Sequence, residues 1–269
     1  MREINLLWMY PDILNLHGDR GNIMALMQIA ESLQVKLNVT KSNSAEGAGD
    51  FNDFDMAYFG AGQLRNMQAV AEDLKTRADN ISSFVESGKY VLVLGTTGCV
   101  FGKEISFSGG EKCQGLGILN MNAKELERTE MPMLTKEVYG DDIYCVCDDS
   151  TEIIGCQIQR MDFTLEQGQK PFAKVIYGYG NNCKDGTEGA VCNNLIFTNT
   201  MGPLMSCNPW LGRKIFEDIL QKKGESVENS PVDSPLSVSY MDYAVESLKL
   251  KKQFIKEKKK LPGIIYKEF

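Results

Sequence analysis

Lys89–Gly102 reads KYVLVLGTTGCVFG. Tyr90–Leu94 is an unbroken apolar run with valine at every second position. Such a run reads as a strand buried on both faces of a parallel sheet. It stops at Gly95, Thr96, Thr97 and Gly98 follow, and the spacing predicts a helix starting near Thr97. A strand, a tight turn and a helix start form the frame in which many α/β hydrolytic enzymes display a nucleophile at the turn tip. The tip here is Gly95, which carries no side chain. Taken alone, the stretch fits an ordinary strand–helix connection as well as it fits an active-site turn.

Upstream, Ile4–Trp8 reads as a first buried strand, and Pro11 and Asp12 suit a turn. Gly18-Asp19-Arg20-Gly21-Asn22 makes a second break, with Asn22 as the candidate cap of the next helix. That helix places Ile23, Leu26, Met27, Ala30 and Leu33 at helical spacing, an apolar face for a sheet. The GDRGN break fits either a plain capped loop or a loop that faces a partner. Val35–Val39 alternates as a second strand, and Asp55–Gly60 reads as a third. The third runs into Ala61, Gly62 and Gln63, where glycines let the backbone approach a ligand and aim N–H groups at an oxyanion. Ala69–Ser87 reads as one helix. This βαβα alternation predicts a three-layer αβα fold around a doubly wound, mostly parallel, flavodoxin-like sheet, with any ligand at the carboxyl ends of the strands.

Downstream, Gly102 to about Lys170 is β-like and is expected to add antiparallel strands at one sheet edge. Ala173–Tyr179 and Leu195–Thr200 read as further strands around the loop GYGNNCKDGTEGA, and Trp210–Lys222 as a closing amphipathic helix. Gly224–Ser239 is rich in Pro, Ser and Gly and reads as a linker. Tyr240–Leu261 then shows Met241, Val245, Leu248 and Ile255 as a rough apolar stripe opposite a lysine-rich solvated face. The expected division is a domain over 1–223, a linker over 224–239, and a helix and tail over 240–269 that pack on the domain or on a partner.

The chain has 269 residues, enough for one large core, and 43% hydrophobic content. A net charge of −7 argues against nucleic acid or an anionic membrane as the main partner. The apolar run after Met1 is too short for a secretion signal, and no segment reaches the length of a membrane span, so a cytoplasmic protein is expected. Its eight cysteines then read as reduced thiols, mostly core fillers. With one histidine in the chain and no CxxC pair, no metal site and no cofactor are expected.

Together these stretches resemble the class I glutamine amidotransferases of the cobyric acid synthase type, and among them the glutaminase subunits of lipid II isoglutaminyl synthase. MYPDILNLHGDRGNI resembles their amino-terminal signature, with His17 where Tyr is usual. GAGQLRNMQAVAEDL is similar to their oxyanion loop, and GYGNNCKDGTEGA, MGPLMSCNP and SVSYMDYAVESLKLKKQFI to their later loops and last helix. The resemblance implies Gly60, Ala61, Gly62 and Gln63 as ligand-binding, with Arg128 corresponding to a family arginine near the pocket. It implies Asp19, Arg20 and Asn22 as partner-binding, toward a Mur-ligase-like subunit that uses ATP in cell-wall precursor amidation.

The family reaction is a Cys–His hydrolysis of glutamine. Its C-G-G-Y-Q-x-x-G turn lies on Gly95–Gly102, which puts Gly95 at the nucleophile and Cys99 four residues later. Its H-G-P-L lies on Met201–Leu204, which puts Met201 at the base. Its G-F-E-N-H lies on Gly155–Gln159, without the Glu and the His, and the oxyanion loop has Ala61 and Leu64 for a Gly and an Asp. No catalytic pair is intact, so a pseudoenzyme subunit is the leading expectation. A glutaminase with Cys99 as substitute nucleophile, its thiol favoured by a helix start, is the alternative. A sensor binding glutamine or a related metabolite is the third.

Overall fold

The Tyr90–Leu94 strand lies inside the principal sheet, with a parallel neighbour on each side. The computed structural model describes residues 2–126, 139–225, 235–261 and 263–269. The first half runs β1 (Arg2–Met9), α1 (Arg20–Ser32), β2 (Val35–Ser42), β3 (Met56–Phe59), α2 (Met67–Lys75), α3 (Ala78–Glu86), β4 (Tyr90–Leu94) and α4 (Gly98–Phe101). Short strands follow as β5 (Glu104–Ser106), β6 (Lys112–Gln114), β7 (Met121–Glu125), β8 (Tyr139–Val146), β9 (Glu152–Gln159) and β10 (Met161–Leu165). The remainder is β11 (Ala173–Gly178), β12 (Thr187–Glu188), β13 (Ala190–Cys192), β14 (Leu195–Thr198), α5 (Leu204–Cys207), α6 (Pro209–Lys222), α7 (Pro235–Glu257) and β15 (Ile265–Tyr266).

The principal sheet has the order β13-β14-β4-β3-β1-β2, parallel except for β13 at one edge. This is the doubly wound α/β architecture expected from the alternation of strands and helices. Side chains leave a strand on alternate faces, so Leu7, Ala57, Phe59, Val91 and Val93 enter one core with α2 and α3. Leu6, Met56, Tyr58, Leu92 and Leu94 enter the other, with α1 and α6. Each fully buried Val, Leu, Phe or Met among them contributes about 1.5–3 kcal/mol, and the continuous apolar run of β4 follows from burial on both faces.

Several sequence expectations are corrected. Ala69–Ser87 is not one helix: Thr76 and Arg77 break it into α2 and α3, the N–H groups of both turning back to Asp73 and Leu74 carbonyls. The strands between Gly102 and Lys170 do not extend the principal sheet. They build a four-stranded sheet, β10-β7-β5-β6, and a second sheet, β12-β11-β8-β9 with β15 on β11. The reason is where their apolar faces go: Ile105, Met121, Ala123 and Phe163 cover the α2/α3 core, and Cys145, Ile153 and Ala173 join the other. Met27 does not join the core face of α1 but stands outward. Nor does Asn22 cap that helix; it lies within it, after Asp19 at the N-cap.

The carboxyl-terminal helix begins at Pro235, five residues before the expected start. Its lysine side is less solvated than its composition suggests. Lys251 reaches Asp142 at 2.6 Å, Lys252 pairs with Glu152, and Lys258 pairs with the buried Asp141. Ile255 is buried with Tyr144, Ile154 and Tyr177. Of the expected linker, 226–234 lies outside the described residues, as does Arg128. Among the described residues no helix is long and apolar enough to cross a membrane.

Candidate functional site

Three adjacent parallel strands, β3, β4 and β14, deliver Ala61, Gly95 and Met201 to one place at their carboxyl ends. Gly95 has φ +56°, a left-handed conformation that glycine takes without strain. A Cβ built there would stand 3.0 Å from Met201 Sδ and 3.3 Å from Ala61 Cβ. Residues 34 and 106 positions apart in the chain are therefore in van der Waals reach of one point. Met201 is 4% exposed, so its thioether occupies the space above Gly95.

The backbone around this point is tightly determined. Buried Thr97 donates its hydroxyl to Gly60 O at 2.6 Å, and the Leu16 N–H bonds Ala61 O at 3.0 Å. Gly60 has no room for a side chain, because a Cβ would fall 1.8 Å from Asp19 Oδ2. Met201 exchanges two backbone hydrogen bonds with Cys156, at 3.0 and 2.8 Å. Gly155 is pressed against the same segment, its Cβ position 2.4 Å from Met201 O.

Gln157 and Gln159 are buried and fully engaged. Gln157 donates to Gly180 O at 2.6 Å and accepts from the Tyr179 and Gly180 N–H groups. Gln159 accepts from Gln157 and donates to Met161 O and Asn181 O. These amides hold the glycine-rich loop rather than line an open pocket. Glu188 was missed in the sequence. Fully buried, it accepts from the Thr198 hydroxyl and the Asn199 and Thr200 N–H groups, just ahead of Met201. Burial raises its carboxyl pKa. A lone acid between glycines in DGTEGA was the available signal.

The predicted partner-binding residues separate. Asp19 and Asn22 are buried: Asn22 donates to Tyr58 Oη at 3.0 Å and accepts from the Met205 N–H at 2.8 Å. Burial pushes the Asp19 carboxyl up to about 7, against the pull of Tyr58, the Ala61 N–H and Asn22. Only Arg20 of the three is exposed. In the ligand-binding set, Gly60, Ala61 and Gly62 are buried and Gln63 is exposed.

Cys99 does not reach the Gly95 point. It is buried in the α2/α3 core with Val100 and Phe101, whereas Ala61 and Met201 belong to the core on the opposite face. The expected lowering of its thiol pKa by a helix start is corrected: burial pushes it well up. His17 is exposed on the β1–α1 loop.

Residues 5–206 match the CobB/CobQ-like glutamine amidotransferase domain. The chain belongs to the CobB/CobQ-like glutamine amidotransferase family. The lipid II isoglutaminyl synthase (glutamine-hydrolyzing) subunit GatD of Streptococcus pneumoniae is 27% identical over 87% of this chain and 88% of its own. GatD of Staphylococcus aureus is 27% identical over 88% of this chain and 93% of its own. A solved structure, PurLQS from Thermotoga maritima, shares the fold with a TM-score of 0.55 at 11% identity, covering 83% of this chain and 100% of that one. The amidotransferase fold thus accounts for the parallel sheet whose strand ends meet at Gly95.

Proposed function

We propose that this protein is an amidotransferase-like subunit in peptidoglycan precursor amidation that does not itself hydrolyse glutamine. The observation that carries the reading is the meeting of Gly95, Met201 and Ala61 at one buried point. Under the family correspondence these are the positions of nucleophile, base and oxyanion loop. A glycine supplies no nucleophile, and a thioether cannot take a proton at neutral pH. Met201 also fills the volume that a substrate amide would need. Losing either member of such a pair costs several orders of magnitude in rate.

On this reading the scaffold serves a partner, a Mur-ligase-like subunit that activates a carboxylate with ATP, in a heterodimer. Arg20 is the docking residue, as the exposed one of Asp19, Arg20 and Asn22. The test has two arms. Ammonia release from glutamine, measured with the purified chain alone and with a ligase subunit from the same cell, is expected to match the buffer blank. The chain is expected to co-purify with that subunit. Turnover abolished by Cys99→Ala, or no association with any such ligase, refutes the proposal.

A further inference from the structure

Helix α1 turns Ile23, Leu26, Ile29 and Ala30 into the core. Its opposite side carries two methionines in the open, Met24 at 61% and Met27 at 53% exposure, flanked by exposed Arg20 and Glu31. At 3.6 residues per turn, positions 20, 24, 27 and 31 fall within roughly 60° of one another. They form a single outward stripe with the order Arg, Met, Met, Glu.

The stripe is complementary to its own reverse. Laid antiparallel on a second copy, Arg20 meets Glu31 of the second copy and Met24 meets Met27 of the second copy. The two-fold axis repeats both contacts. Spacings of four, three and four residues are those of a seam between paired helices, and antiparallel pairing matches each such position with its counterpart. A two-fold contact requires a patch that fits itself, and this one does so in charge as well as in apolar content. Neither Arg20 nor Glu31 has an ion pair inside the chain among the described residues.

We propose that the protein self-associates through α1 as a two-fold antiparallel helix pair, with Met24 and Met27 at the centre and Arg20–Glu31 pairs at the ends. The unbranched methionines adapt to one another and supply the buried apolar area. The exposed ion pairs add little affinity and instead fix direction and register. One helix per copy is a small contact, so the association is weak and depends on concentration. This inference does not rest on ligase docking, and the two associations compete for Arg20. Both use Arg20, so the Glu31 arm of the experiment separates them.

The experiment is sedimentation velocity on the full chain across a concentration series, beside Arg20→Glu, Glu31→Arg and the double reversal. Wild type is expected to move from 30.0 kDa toward twice that mass as concentration rises. Each single reversal sets like charges against each other at both ends and is expected to weaken association about tenfold. The double reversal restores opposite charges and is expected to recover it. All four positions are solvent-facing, so melting temperatures should coincide. Wild type remaining at 30.0 kDa throughout, or a double reversal no stronger than the singles, overturns the proposal.

Discussion

Adding one carbon at the tip of the β4 turn tests how the Gly95 point is built. Gly95→Ala places a Cβ on a residue with φ +56°, at a backbone cost of about 1–2 kcal/mol. The same carbon lies 3.0 Å from Met201 Sδ and 3.3 Å from Ala61 Cβ, a crowding that adds about 1–3 kcal/mol. The sum is about 2–5 kcal/mol. At roughly 2–4 °C per kcal/mol for a chain of this size, the melting temperature should fall by about 4–20 °C. The Met201→Ala background separates the two terms. There the thioether is gone, so Gly95→Ala should cost the backbone part and only the milder contact with Ala61 Cβ at 3.3 Å. A coupling of roughly 1–3 kcal/mol between the two sites is therefore expected from a thermodynamic cycle. Urea unfolding of the four proteins measures it. Costs that add to within about 0.5 kcal/mol would show that Met201 does not fill the space above Gly95.

Introducing a thiol and an imidazole with Gly95→Cys and Met201→His should yield little glutaminase activity, because Ala61 and the amide network of Gln157 and Gln159 still shape the surroundings; robust ammonia release by the double variant refutes this. Asp19, 3% exposed, keeps its proton to about pH 7 when folded but ionises near 3.8 when unfolded. Its contribution is thus intact below the lower value and is lost as pH rises through the higher one, about 4 kcal/mol for roughly 3 pH units. Asp19→Asn should flatten that slope and raise stability at pH 8 relative to pH 5; parallel urea midpoints at the two pH values would rule this out. Glu188→Ala leaves the Asn199 N–H and the Thr198 hydroxyl without their acceptor in a buried site, at about 1–3 kcal/mol each, while the Thr200 N–H keeps the Thr198 hydroxyl oxygen at 3.0 Å. Thermal melts should show Glu188→Gln markedly milder, since an amide oxygen can still accept; equal losses would mean that volume rather than bonding matters.

What was legible in the sequence followed from periodicity. The apolar run of Tyr90–Leu94 and the strand–helix alternation before it are local signals, and they placed β1 to β4 and α1 in order. The motifs that pointed to Gly95, Ala61 and Met201 were also local, but only the strand order put those residues in one place. The smaller sheets were misplaced because strand length says nothing of which core an apolar face will cover. Cys99 was misread for a related reason: a position in a helix start suggests an activated thiol, yet full burial reverses the effect. Met27 fitted the helical period and still faces solvent, since a ~100° stripe leaves its margins undecided.

The two hydrogen bonds between Cys156 and Met201 involve only main-chain atoms. The donor and the acceptor at 201 belong to the main chain of every amino acid except proline, which lacks the N–H. The join between the β9 edge and the segment after β14 is therefore indifferent to what residue 201 carries. A chain joined in this way can change its chemistry without renegotiating its architecture. It offers a mould in which the main chain at 201 is held by bonds that no side chain enters, and the space above Gly95 alone selects what 201 carries.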